Sequence, residues 1–555
     1  MTRIATIVVF ALAGPFAAPA QDGARLAPQE AATWQADLRF LASELLRIHP
    51  NPFHRGSRSA FDSAVADLDR RIPALDRNQV IVGLVQIVAL LHDGHTALQP
   101  GVDPKIGFHR LPVTLYDFQD GLFVREADSA HADLAGAKVV QIGRLPARAA
   151  LDSVADLVSA ENRQWVRAIG PILLAIPEIL FARRIADDPS RVAMVVEHRG
   201  RRRSVELRPL PGTGRFDEHE ETAARRRGWV DMRDATPGPD PLWLRRPGAA
   251  FWMEHLPDSR TLYIAYQAVQ FASEGETNEA FFRRAFAYAD SHDVARVVID
   301  VRRNGGGNSF FNRPLVKEII RRPALDRPDR LFTIIGRGTF SAAKNLLADL
   351  EYWTSATVVG EPNGNAPVQY GDAVSVVLPN SGITARVSTA RHQTPRPRDE
   401  RLFFAPRIFV EMTSEDYRLK RDPVLDAILR RTGGPSFARQ LTEAVAAGDT
   451  ALATRRLSDY RADPENRYAE ADIERDVNAA AYALLGEGRV DGAIHLFRLN
   501  TAAFPQSANV YDSLGEAYER AGRREDAIRE YRRALAIDPS YRSSLAGLQR
   551  LGAQR

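Results

Sequence analysis

Arg296-Val297-Val298-Ile299-Asp300-Val301-Arg302-Arg303-Asn304-Gly305-Gly306-Gly307 and, one apolar run later, Thr339-Phe340-Ser341-Ala342-Ala343-Lys344 decide the fold of this chain. The β-branched run ending at Asp300 reads as a strand buried on both faces. The three glycines after it permit positive φ and a close approach of backbone to a ligand. Leu331-Phe332-Thr333-Ile334-Ile335 reads as a second buried strand, and Ser341 opens an apolar helix marked by Leu346, Leu347 and Leu350. A serine there sits where backbone N–H groups and the helix dipole favour negative charge. Ser341 is therefore a candidate nucleophile, with the Ala342 N–H as a donor to a developing oxyanion. The glycine turn offers a second donor, placed at Gly306 with Gly305 and Gly307 as immediate alternatives. Taken alone, Ser341 is equally an ordinary helix cap. The turn lacks the Gly-Lys-Ser/Thr ending of a phosphate loop, so phosphate binding is discarded.

Strands and helices alternate around this stretch. Leu262 to Tyr266 and Ala356 to Gly360 read as strands, Asn278 to Ser291 and Leu315 onward as helices. That order implies a sheet with helices on its faces, assigned to a core over 259–432. Residues 213–258, rich in Pro, Gly, Arg and Trp, read as a connector with some strand. Residues 105–212 hold short strands: Pro112 to Tyr116 and Leu122 to Val124 around Asp120-Gly121, then Ala137 to Gly143 and, after a helical insert, Val192 to Leu207. Ala135-Gly136-Ala137-Lys138-Val139-Val140 followed by Leu145-Pro146-Ala147-Arg148 resembles a PDZ module, which implies a peptide-tail binder. A small β domain of no particular function fits the strand pattern as well. Residues 28–104 read as an N-terminal helical domain, with Leu38, Leu41, Leu45 and Ile48 and then Val80 to Leu91 in helical register. His49-Pro50-Asn51-Pro52 separates the two.

The tail, 436–555, is helical and repetitive. Val510-Tyr511, Leu514-Gly515, Tyr518, Ala527, Tyr531, Ala534 and Pro539 fall at the spacings of a tetratricopeptide repeat of about 34 residues. Ala493, Phe497 and Pro505 match the second half of an earlier copy, with Leu484 where an aromatic is usual, and Thr442 to Leu457 supplies a degenerate pair. Such a tail implies a protein or peptide partner in its concave groove.

At 555 residues several domains are expected, and 45% hydrophobic with 26% charged residues is ordinary globular composition. Lys+Arg 74 against Asp+Glu 70 leaves +4, with the basic residues spread along the chain, which reads as solvated surface and not a nucleic-acid patch. Arg3, the apolar run Ile4 to Gly14 and Ala18-Pro19-Ala20 read as a cleaved signal peptide over 1–20 and imply a secreted or periplasmic protein. No later segment is apolar enough to span a bilayer, so no integral membrane segment is expected after cleavage. The absence of Cys excludes disulfides, thiolate ligands and a thiol nucleophile.

Asp93-Gly94-His95-Thr96, then Asp300-x-Arg302-x-Asn304-x-Gly306-Gly307, then Ser341-Ala342-Ala343, then Gly360-Glu361-Pro362 through Tyr370-Gly371-Asp372, resemble in that order the C-terminal-processing/tricorn serine-peptidase family over about residues 30–430. The resemblance implies an αβ core of ClpP/crotonase-like fold, often with an inserted PDZ-like domain. It also implies a tail-specific serine endopeptidase cutting polypeptide substrates through an acyl-enzyme, with no cofactor. One branch of the family pairs the Ser with a downstream Lys; this chain has no Lys between Asn345 and Leu419, which removes that dyad. The other branch uses a His near the N-terminal helices and a late Glu. His95 fits the base. Glu400, six residues before Pro406, fits the Glu that orients the imidazole, with Asp399 as the adjacent rival. Phe403 stands where Gly is common in the family, and Arg407 where Asp is common. Lys344, one turn after Ser341, stands where Glu is more usual and reads as a solvated or ion-paired surface lysine. His92 is spaced to share a helix face with His95, but His49 and His54 are unpersuasive companions, so no metal site is assigned. The same fold occurs in ligand carriers without proteolysis, so a non-proteolytic binding or interaction protein with a scaffold tail stays open.

Overall fold

The computed structural model describes residues 25–212, 228–396, 399–431 and 435–554. The signal peptide read over 1–20 lies outside them. The described chain is a multidomain α/β protein.

Helices Pro28–Ile48, Arg58–Arg71 and Arg77–Ala89 pack through buried Leu38, Leu41, Leu45, Phe61, Val80 and Leu84. The third begins on a capping box between Asp76 and Gln79 and ends at Ala89. His92 follows at φ 51°, so the chain turns there, and His92 and His95 share no helix face.

An antiparallel sheet comes next. Its strands are β1 (Val113–Phe118), β2 (Gly121–Asp128), β3 (Lys138–Ile142), β4 (Val192–His198) and β5 (Arg201–Leu207), neighbours in chain order, and β6 (Trp229–Asp231) pairs with β2. The insert between β3 and β4 carries helices Ala147–Ser153, Arg163–Leu173 and Pro177–Ala182. The middle one is capped by Asn162, whose side chain accepts from the Gln164 and Trp165 N–H groups.

The core sheet comprises β7 (Phe251–Leu256), β8 (Thr261–Tyr266), β9 (Arg296–Asp300), β10 (Leu331–Ile335), β11 (Thr357–Gly360) and β12 (Ile408–Phe409). Each strand lies beside its predecessor, and all are parallel except β7, which runs antiparallel to β8. The stretch read as a connector thus supplies a strand to each sheet, β6 and β7. Every residue of β8 and β10 is buried, as strands covered on both faces require. One face packs on Phe281, Phe282, Phe286, Leu315, Leu346 and Leu350; the other on Trp252, Val424, Leu425 and Ile428. Parallel strands bring the turns after β9 and β10 to the same edge, where ligands of such sheets bind.

A small sheet clamps the N-terminal region to that edge. Ala97–Leu98 pairs with Thr384–Val387, which pairs in turn with Val374–Val377. The tail stacks helices from Phe437–Ala446 to Arg542–Arg550. It docks on the core where Arg407 meets Asp472 and Asp476, and where Tyr468 lies edge-on to Phe403 and Phe409 at 5.9 and 5.2 Å. Phe403 and Arg407, the two departures from the family pattern, are therefore residues that meet the tail. Among the described residues no helix is long and apolar enough to cross a membrane.

Candidate active site

Two turns press together at the edge of the core sheet. Phe340 is extended (φ −140°, ψ 162°) and Ser341, first residue of helix Ser341–Trp353, has φ 52°, so the chain reverses sharply at the serine. Left-handed backbone at a non-glycine residue is a local cost of about 1–2 kcal/mol. Gly306, at φ 110°, leaves no room for a side chain: a Cβ there would fall 2.5 Å from Ser341 Cβ and 2.9 Å from the Ala342 nitrogen. The Ala342 N–H thus lies against the glycine turn, as the oxyanion assignment needs. The Gly306 N–H, however, donates to Asn304 Oδ1 at 2.9 Å, so the donor assigned to the oxyanion already has an acceptor within its own turn. Asn304 is fully buried and ties the two turns: its Nδ2 donates to the Tyr266 carbonyl at 2.8 Å and its own carbonyl accepts the Phe340 N–H at 3.0 Å.

The Ser341 N–H, an orphan donor of the helix start, is accepted by Asn365 Oδ1 at 2.6 Å. Asn365 Nδ2 faces the Glu161 carboxyl at 3.2 and 3.3 Å. Sequence reasoning missed both residues. Asn365 lies inside the stretch from Gly360 to Tyr370 that carried the resemblance, whereas Glu161 sits in the helical insert with no local signal beyond the neighbouring Asn162 cap.

His95 reaches the site on a loop tied down by Asp93. Asp93 Oδ1 accepts the His95 backbone N–H at 3.1 Å; Oδ2 accepts from Thr96 Oγ1 and Ser388 Oγ, both at 2.6 Å, and pairs with His49 Nε2 at 3.1 Å. Burial opposes the Asp93 charge, but the hydrogen bond from His49, the field of His95 and the two hydroxyls outweigh it and hold the carboxyl well below its usual range. Gly94 packs on Phe340 so closely that a Cβ would sit 2.6 Å from its ring, and the His95 ring lies 4.8 Å from the same ring. Trp165 stacks on Phe340 at 4.0 Å. The loop of His95 thus grips the residue immediately before Ser341. Among the described residues His95 Nδ1 is buried without a partner, and no hydrogen bond joins His95 to Ser341. Burial pushes the His95 imidazole down to about 4, with Lys344, His392 and Arg386 pushing the same way and Asp93 opposing, so it is neutral at neutral pH.

Lys344 is not the surface residue expected. It is 0% exposed, and its Nζ donates to Asn345 Oδ1 and the Pro367 carbonyl, both at 2.7 Å. Burial lowers it to about 7. The helix that carries Ser341 turns this position inward against residues 365–367, an orientation that long-range packing sets. Glu400, by contrast, is exposed, and among the described residues no hydrogen bond or ion pair engages it. Asp399 is held by Arg401, which also grips Glu351 through two bonds of 2.8 Å. That clamp ties the segment to the far end of helix Ser341–Trp353. Among the described residues no hydrogen bond or ion pair joins Glu400 or Asp399 to His95, and Asp93 is a carboxylate whose field reaches the imidazole. Among the described residues no group of three His, Cys, Asp or Glu could hold a metal.

A tetratricopeptide repeat family model matches residues 508–541. No curated protein matches the chain by sequence. Among solved structures, the crystal structure of a CPAF mutant aligns with a TM-score of 0.50 at 13% identity, over 73% of this chain and 99% of that one. A photosystem II D1 C-terminal processing protease aligns at 0.32 and 16% identity, over 72% of this chain and 96% of that one. The tricorn protease aligns at 0.31 and 11% identity, over 72% of this chain and 36% of that one. At such identities the likeness is one of fold, and the CPAF alignment carries it.

Proposed function

We propose that this chain is an exported serine endopeptidase. Ser341 attacks a polypeptide carbonyl, His95 takes its proton and returns it to the leaving amine, and a water activated by His95 hydrolyses the acyl-enzyme. The observation that carries the reading is the turn at Ser341: a strained serine between a buried strand and a helix, with Gly306 against it and the His95 loop gripping Phe340. The neutral imidazole is in the form a base needs, and hydrogen bonds at such sites commonly tighten only once substrate is bound. The Ala342 N–H supplies one oxyanion donor. With the Gly306 N–H taken by Asn304, the second falls to one of its neighbours in the same turn, Gly305 or Gly307. Among the described residues no hydrogen-bond partner meets His95 Nδ1, so the reading is a Ser–His dyad supported by the field of Asp93, with Glu400 outside it. The N-terminal pattern supports export, the β-rich region over 105–212 delivers polypeptide to the edge, and the tail holds a partner.

The test is cleavage of an unstructured polypeptide by the purified chain. Fragments from wild type and none from Ser341→Ala, with both proteins folded, are expected. Equal cleavage by Ser341→Ala sinks the assignment. No cleavage by either favours the ligand-carrier reading, to which the unpartnered His95 Nδ1 lends its one specific support.

A further inference from the structure

We infer that Glu161 and Asn365 are positioning residues for Ser341, holding the nucleophile's backbone in place from the helical insert of the β-rich region. The inference rests on Ser341 being the nucleophile. A left-handed serine persists only where its surroundings over-determine it. The Ser341 N–H is the group that fixes this turn, and its acceptor, Asn365 Oδ1, stands at 2.6 Å. An amide side chain can turn either face, so something must choose. The Ser341 N–H takes Oδ1, and Glu161, with both oxygens facing Asn365 Nδ2, accepts on the other side and holds that choice. Asn365 is 0% and Glu161 6% exposed, and a Cβ at Gly94 would lie 3.2 Å from Glu161 Oε2, so neither residue can swing away cheaply.

Polar groups buried this deeply weaken a fold unless they are needed, and an apolar pair would pack here at lower cost. The groups facing Glu161 are Asp93 of the His95 loop, Arg55 of the turn before the second helix, and Lys344 of the nucleophile helix. Burial, with Asp93 adding to it, pushes Glu161 up to about 8. It is a neutral carboxylic acid at neutral pH, and it acquires charge as the pH rises through that value. A charge gained there faces Asp93 and, through Asn365, the backbone of Ser341, so the nucleophile loses reactivity on the alkaline side.

The experiment is the rate at which a fluorophosphonate labels the full-length protein across pH 6–10, with melting temperatures measured alongside. Asn365→Ala lowers the rate by about 10²-fold, the usual cost of a misplaced reacting group. Glu161→Gln keeps an oxygen facing Asn365 but cannot ionise, so it labels at the wild-type rate at pH 7 and lacks the wild-type fall near pH 8. A purely structural Glu161 would leave the pH profile of Glu161→Gln unchanged, and that result together with a wild-type rate in Asn365→Ala overturns the inference. Glu161→Gln, nearly isosteric, keeps the test alive if Asn365→Ala does not fold. An unlabelled wild type would instead count against Ser341 as nucleophile. The crystal structure of Asn365→Ala, or of Glu161→Ala, then decides independently: Ser341 leaving positive φ supports the positioning role, and Ser341 unmoved overturns it.

Discussion

Glycine is required at 306 and at 515 for one physical reason, close approach, but against different partners. At 306 a Cβ would strike Ser341; at 515 it would meet the Tyr531 ring at 2.7 Å, and at 547 the other edge of that ring at 2.5 Å. Beside Gly306 the buried polar groups are Asn304, which accepts its N–H, and, through Ser341, Asn365 and Glu161. Around Gly515 apolar Leu514, Ala517, Ala527, Tyr531 and Leu535 share the interior with buried Asp512, Ser513, Glu530 and Ser544. In the tail the buried polar pair Ser544–Asp512, at 2.6 Å, joins one helix to another, whereas at the edge of the core sheet the buried chain Glu161–Asn365 ends on the backbone of a single serine.

The comparison can be broken at several points. His95→Ala should lower polypeptide cleavage by about 10³-fold at unchanged melting temperature, the scale of a lost general base; a small change would detach His95 from the chemistry. Because the imidazole is held at about 4, the acid limb of wild-type activity should fall through that value, with no inflection at the ordinary histidine value. An acid limb near pH 6.5 would show that the ring is not desolvated. Gly306→Ala, strained by φ and blocked by Ser341, should cost about 10² in rate through displacement of the nucleophile turn. Gly515→Ala should leave the rate per folded molecule unchanged and destabilise the tail by about 1–3 kcal/mol, the range for overpacking a filled site, as read by thermal denaturation. Smallest of all, Glu400→Ala should alter neither rate nor stability measurably; a loss of orders of magnitude would restore it to the machinery and contradict the separation of residues 399–401 from His95.

Much of the fold was legible because buried parallel strands are continuous apolar runs. Residues 296–300 and 331–335 coincide with β9 and β10 at both ends, and the helix over 278–291 does likewise. The tail was legible from periodicity, and Leu484, which broke the aromatic pattern, is simply buried in its core. The connector reading over 213–258, which included some strand, left the pairing of β7 open because Phe251–Leu256 does not alternate and is an edge strand, four of its six residues partly exposed. At the site, Ser341 and Gly306 stood out because their demands are local: a helix start and a turn without side chains. Lys344, Glu161 and Asn365 did not, because their pairing is made only in the fold: Lys344 with the Pro367 carbonyl, and Asn365 with Ser341 on one side and Glu161 on the other. Glu400 was chosen by spacing, and spacing cannot foresee that Arg401 would draw Asp399 and Glu351 together.

The central claim is that the hydroxyl at position 341 is activated by the imidazole at 95. Mass-spectrometric mapping of the fluorophosphonate adduct tests it most directly. The account predicts one adduct, on the peptide containing Ser341 in wild type, and almost none after the same exposure of His95→Ala. An adduct on a different serine, or equal labelling of Ser341 in both proteins, would contradict it.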